Sequence, residues 1–152
     1  MTRIVLISLF TVLFFSCSTK KSHEKYHYFS QQSWHTDSIV SFDFNHLDTE
    51  KNYNLQLNIR HTVDYQFQNL FIFAYLENKK DTIELKLANK HGKWFGSGLG
   101  HIREYNCLIH KNYKPIQVFD IKIEQAMRHG SKKKIEALKH ITAVGVQLTE
   151  NE

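Results

Sequence analysis

The chain is short of the residues that define several protein classes. Its 152 residues include one proline, two cysteines and six glycines. Two cysteines cannot build the several bridges of a disulfide scaffold, and so little glycine and proline excludes a collagen-like or low-complexity chain. The only long apolar run, Ile4 to Phe15, has twelve residues and is broken by Ser8 and Thr11. As helix it would span about 18 Å, too short for a hydrocarbon core of roughly 30 Å, which argues against a multi-span membrane protein. Charge of one sign is also scarce. Twenty basic against fifteen acidic residues give a formal charge of +5, far weaker than a nucleic-acid binder's footprint. Aromatics, by contrast, are plentiful. Eleven Phe, seven Tyr and two Trp supply enough apolar surface to offset the entropy of ordering, and the length fits one domain.

The apolar run has its own meaning. Arg3 precedes it, and Phe14-Phe15-Ser16-Cys17 follows with a polar stretch from Ser18 to Ser22. A basic start, a short apolar run and a small residue before the break make a secretory signal peptide. Cleavage near Ser16 or an uncleaved anchor are the plainer readings. The segment resembles the bacterial lipobox, with Phe14 where Leu is usual. That resemblance implies that residues 1–16 are removed and that Cys17 is the site of lipidation, carrying diacylglyceryl and N-acyl chains in the membrane. Removal leaves 136 residues, and loss of Arg3 lowers the formal charge to +4. With Cys17 acylated, Cys107 has no partner for an internal disulfide and reads as a buried, inert thiol.

Residues 17–27 read as a lipidated polar tether and residues 28–149 as one domain. Period two dominates this domain. Val40, Phe42 and Phe44 alternate with polar residues, as do Leu55, Leu57 and Ile59; Ile83, Leu85 and Leu87; Phe119, Ile121 and Ile123; and Val144, Val146 and Leu148. Each set predicts a strand with one face in a core and one in water. Leu70 to Leu76 is apolar throughout and predicts a central strand covered on both faces. Ile102 to Ile109 predicts a less regular seventh strand. Turn residues fall between them at 48–52, 77–81, 89–92 and 112–115. A helix is predicted at 124–129 or 132–140. The expected fold is all-β, a single antiparallel β-sandwich, Ig-like or jelly-roll-like.

The residue types that could carry chemistry have structural readings. His23 and His27 are four apart but have no third ligand nearby, and the remaining histidines lack short ligand spacing, so no metal site is expected. Gly96-Ser97-Gly98-Leu99-Gly100 is not followed by a helix and is not a dinucleotide fingerprint; its glycines serve a tight strand connection or close packing on Trp94. Asp37, Asp43, Asp64 and Glu104 form no recognisable carboxylate pair. Lys132 to Lys134 reads as a solvated turn. An exposed Trp94 and Tyr65 would make a glycan- or lipid-binding face credible; core packing is the alternative for both. No catalytic residue and no cofactor is expected.

Several separated features nonetheless occur in a characteristic order. They are the lipobox-like start, Trp34 with Asp37-Ser38-Ile39, Tyr53-Asn54-Leu55, Arg60 and Asp64-Tyr65. Asn69-Leu70-Phe71, Asp81-Thr82-Ile83-Glu84, Gly92-Lys93-Trp94, Gly96 to Gly100, Glu124 to Arg128 and Val144-Gly145 follow. Together they resemble the gliding-motility lipoprotein family GldH of the Bacteroidota. The resemblance implies a non-enzymatic lipoprotein that supports gliding and type IX secretion through contacts with other envelope proteins. It implies Trp34, Arg60, Tyr65, Asp81, Trp94 and Arg128 as binding or structural motif residues. Ser18 after the cysteine is unlike the aspartate of an inner-membrane retention signal, and the tether lacks the acidic run that resembles a surface-export signal in this phylum, so the expected site is the outer membrane on its periplasmic face.

Overall fold

The computed structural model describes residues 20–77, 79–116, 118–130 and 133–151; Cys17 lies outside them. The period-two segments are strands. They are β1 Ser22–Tyr28, β2 Ser33–His35, β3 Val40–Phe44, β4 Tyr53–Thr62, β5 Asn69–Leu76 and β6 Lys79–Lys86. Then come β7 Ile102–Tyr113, β8 Phe119–Gln125, the short pairs β9 Arg128–His129 and β10 Lys133–Lys134, β11 Ala137–Lys139 and β12 Ile141–Glu150.

Two four-stranded sheets form, in the orders β1-β12-β4-β7 and β3-β8-β5-β6. Every pairing in them is antiparallel. One rule generates most of the ladders. The chain is a long hairpin doubled about the two-residue connection after Leu76, so β5 pairs β6, β4 pairs β7, β3 pairs β8, β2 pairs β11 and β1 pairs β12. Rolling that hairpin adds the contacts β12 to β4 and β8 to β5. This is the jelly roll, with sheets that interleave early and late strands. An immunoglobulin sheet instead places the consecutive strands A and B side by side. The jelly-roll alternative is therefore the one realised.

The sheets meet through the alternating side chains expected from the sequence. Leu55, Leu57, Ile59, Val144, Val146 and Leu148 of the first sheet are fully buried, as are Leu70, Ile72, Leu85 and Ile123 of the second. Tyr113 of β7 packs edge-on to Phe119 of β8 at 5.1 Å between ring centres, and Phe119 meets Phe44 at 5.8 Å. Burial of such side chains supplies roughly 1.5–3 kcal/mol each.

The rolled hairpin also sorts its connections to two ends. The entry to β1, the β3–β4 loop, the β5–β6 turn, the β7–β8 loop and the exit of β12 share one, here called the near end. The β1–β3, β4–β5, β6–β7 and β8–β12 connections share the other, the remote end.

Three expectations change. Residues 22–27, expected within the tether, form β1, whose seven residues pair with Ala143 to Thr149. The predicted helix at 124–129 or 132–140 is replaced by the end of β8 and by β9, β10 and β11. The buried side chain of Gln125 favours this course, since its amide donates to Ile135 O at 2.7 Å and its carbonyl accepts from Met127 N at 2.9 Å. Finally, β5 is central but not covered by a layer on both faces. Leu70, Ile72 and Ala74 enter the core, whereas Phe71, Phe73 and Tyr75 are half-buried on the outside, with Lys80 Nζ 3.5 Å above the Phe73 ring.

Candidate functional site

Most residues that carry the family resemblance converge on the remote end. Its most built feature is the glycine-rich connection before β7. Ser97 and Glu104 exchange both backbone hydrogen bonds, at 3.0 and 2.7 Å, so the loop lies against the edge of β7. The contact is too close for side chains. A Cβ on Gly96 would stand 2.6 Å from Glu104 O, and one on Gly98, at φ +150°, would stand 2.3 Å from Ile102 O. The Arg103 guanidinium then ties the turn by donating to Gly100 O at 2.9 Å and Ile102 O at 2.8 Å. The loop presents Leu99, 95% exposed, and Phe95, also exposed. Phe95 also borders a hollow of about 440 Å³ shared with Gln68, Asn69, Glu84 and Asn89.

A cluster of rings supports this loop from within. Trp94 is half-buried and lies 4.5 Å from the His61 ring and 6.4 Å from Tyr65. Tyr65 is buried, donates its hydroxyl to Asn69 O at 3.0 Å, and is held above the ordinary phenol range by burial. His61 is fully buried. Its Nδ1 donates to Thr62 O at 2.9 Å, which leaves Nε2 as an unpaired acceptor, and burial pushes its pKa down. Burial thus favours the neutral imidazole. Trp34 is equally buried, stacked on Phe29 at 4.9 Å with Nε1 donating to Ser38 O at 3.0 Å. Packing thus claims Trp34, Tyr65 and most of Trp94, and these rings form no open platform for a glycan.

The other expected residues disperse. Arg60 sits on the outer face of the first sheet, bonded to the Glu104 carboxylate and to the Tyr28 hydroxyl at 3.0 Å, with its guanidinium 4.1 Å from the Tyr26 ring centre. Tyr26 lies over Gly145, where an added Cβ would stand 2.5 Å from the ring. Its hydroxyl donates to Glu104 at 3.1 Å and accepts from Asn58 Nδ2 at 3.1 Å, and its pKa is pushed up to about 12, chiefly by burial. Asp81 is exposed on the edge strand β6 opposite Ala74. Arg128 is exposed at the remote end beside Phe71 and Phe73. Cys107 is half-buried on β7, and burial raises its thiol, as fits an unreactive group. Among the described residues, no three His, Cys, Asp or Glu side chains gather as a metal site.

Tyr26 and Asn58 were not among the residues the sequence pointed to, and Tyr28, expected among mostly core-packed rings, is exposed. The signal was the alternation of Glu24, Tyr26 and Tyr28 with His23, Lys25 and His27, obscured because polar residues occupy both faces of this edge strand. What the remote end offers chemically is a fixed backbone with apolar side chains at its tip. Its buried histidine faces rings, not a nucleophile.

Comparison with known proteins agrees with the order of motifs. The family model described as GldH lipoprotein matches residues 21–148. The gliding motility lipoprotein GldH of Flavobacterium johnsoniae is 34% identical over 153 residues, covering 97% of this chain and 96% of that one. A gliding motility lipoprotein GldH homolog of Christiangramia forsetii is 32% identical over 157 residues, with the same coverage. Among solved structures, dimeric latent PorU from Porphyromonas gingivalis aligns with a TM-score of 0.43 at 7% identity, over 88% of this chain and 13% of that one, a likeness too loose to bear on function.

Proposed function

The chain belongs to the GldH lipoprotein family, and from that premise we propose that it is a non-enzymatic outer-membrane lipoprotein that supports gliding and type IX secretion by protein contacts. In this reading Cys17 carries the acyl chains and holds the protein on the periplasmic face. The remote loops then meet the partner proteins. The observation that carries the reading is the separation of the two ends. The chain enters the sandwich at one, whereas Leu99 and Phe95 stand at the other on a loop clamped by Arg103 and by the edge of β7. A rigid tip loses little entropy when it docks, as a contact surface requires.

The test is genetic. Deleting the gene should abolish colony spreading and reduce adhesin secretion, and the chain with Leu99→Asp and Phe95→Ser should fail to restore either while reaching wild-type abundance. Normal spreading and secretion in the deletion strain would refute the role. Full complementation by the double variant would refute the assignment of the contact to this loop.

A further inference from the structure

The near end has an exposed apolar feature of its own. Among the described residues, large apolar side chains exposed at this end come from one connection, β7 to β8, where Ile116 is 76% exposed and Val118 61%. Pro115 before them is buried, which seats the connection on the body, and Lys111 and Lys114 precede it. Lys21 and Lys79 are exposed at the same end. Several acids there are already engaged. Glu150 pairs with Lys51 at 2.6 Å, Glu50 with Lys114 at 3.7 Å, and Glu77 accepts from the Tyr113 hydroxyl at 2.8 Å. Asp120 stays exposed.

Reach decides what lies opposite this end. Lys21 is already tied to the sandwich, its carbonyl accepting from Glu150 N at 3.0 Å. Four peptide units separate it from Cys17, at most about 14 Å of fully extended chain. An acyl group on Cys17 therefore holds the near end within touching distance of the headgroup layer, whatever path residues 18–20 take. A bilayer interface accepts branched apolar side chains at its acyl boundary and lysines at its anionic surface, the two kinds of group presented here.

We propose that the near end is a membrane-docking surface. Ile116 and Val118 enter the interfacial layer of the bilayer that holds the anchor, and Lys21, Lys79 and Lys111 face its anionic phospholipid headgroups. The proposal rests on lipidation of Cys17. Docking at two points, anchor and loop, holds the sandwich upright and keeps the remote loops pointing away from the membrane.

The test uses the full chain as the cell processes it, purified and added to vesicles of phosphatidylethanolamine and phosphatidylglycerol. In a Cys107→Ser background, an environment-sensitive NBD probe is attached at Ile116→Cys or, as control, at Leu99→Cys. The expected result is a blue-shifted emission at position 116, quenched by lipids brominated high on the acyl chain, with a water-like, unquenched probe at position 99. Replacing Val118 with Glu should move the probe at 116 back toward water while flotation with the vesicles persists. A chain that floats but shows the same water-like emission at both positions overturns docking alone. A chain that fails to float overturns the anchor and docking together.

Discussion

At single residues, the fold is most sensitive where backbone meets backbone. Gly98 is the clearest case, because both its φ of +150° and the 2.3 Å approach to Ile102 O exclude a side chain. Gly98→Ala should cost about 2–3 kcal/mol and loosen the loop that carries Leu99. Chemical denaturation checks the cost, and an unchanged midpoint would show that the loop yields freely. His61 predicts a pH effect of definite sign. Burial holds its pKa below the ordinary 6.5, so the unfolded chain takes up a proton that the folded chain refuses. Its contribution is complete above 6.5 and is lost as pH falls through the lower folded value. Stability should therefore drop in mild acid, and His61→Phe should flatten part of that drop in denaturation midpoints measured across the range. The need for glycine in the loop was readable from the cluster Gly96 to Gly100. The proximity of His61 and Trp94 was not, because 33 residues separate them in the chain.

Among the elements, β1 departs furthest from its sequence reading. As an edge strand it needs no strong apolar alternation, and its polar inward residues guard the sheet edge against foreign strands. Removing Ser22–Tyr28 should therefore do far more than shorten a leash. It would bare the edge of β12 and uncover Asn58 and Gly145 beneath Tyr26. The expected outcome is a lower unfolding midpoint and loss of the monomer peak in size-exclusion chromatography. A deletion that leaves both unchanged would mean that β1 adds little to the sandwich. The central strands were easier to read. Leu55, Leu57 and Ile59 on β4 and Val144, Val146 and Leu148 on β12 alternate because each has one face in the core. The outer residues of β5 look like core in the sequence, yet Phe73 and Tyr75 are half-covered with Lys80 over both rings, and Phe71 is half-buried against the margin of the core.

For the whole molecule, the jelly roll gives the protein a polarity. One end receives the chain from Cys17 and the other gathers the loops that carry the family motifs. If the anchor sets that polarity in the envelope, Cys17→Ser should abolish fatty-acid labelling and release the protein from the membrane fraction. Metabolic labelling with an acyl probe, followed by fractionation, checks both. Persistent labelling of the variant would overturn the lipidation site.

For the central strands, side-chain periodicity in the sequence was enough to tell which face enters a core, and the glycine cluster marked where the backbone bends. Those properties follow from side-chain periodicity and from φ preferences, which act over a few residues. The order of its motifs also carried the family. It took the folded chain to show that Ser22 pairs with Thr149, that the doubled hairpin rolls so that β12 lies beside β4, and that the loops divide between two ends. Pairing joins residues far apart in the chain, and local patterns are silent on partners at that distance. Thus the alternation of β1 gained its meaning from the strand opposite, and Ile116 and Val118 gained theirs from the end on which the fold placed them.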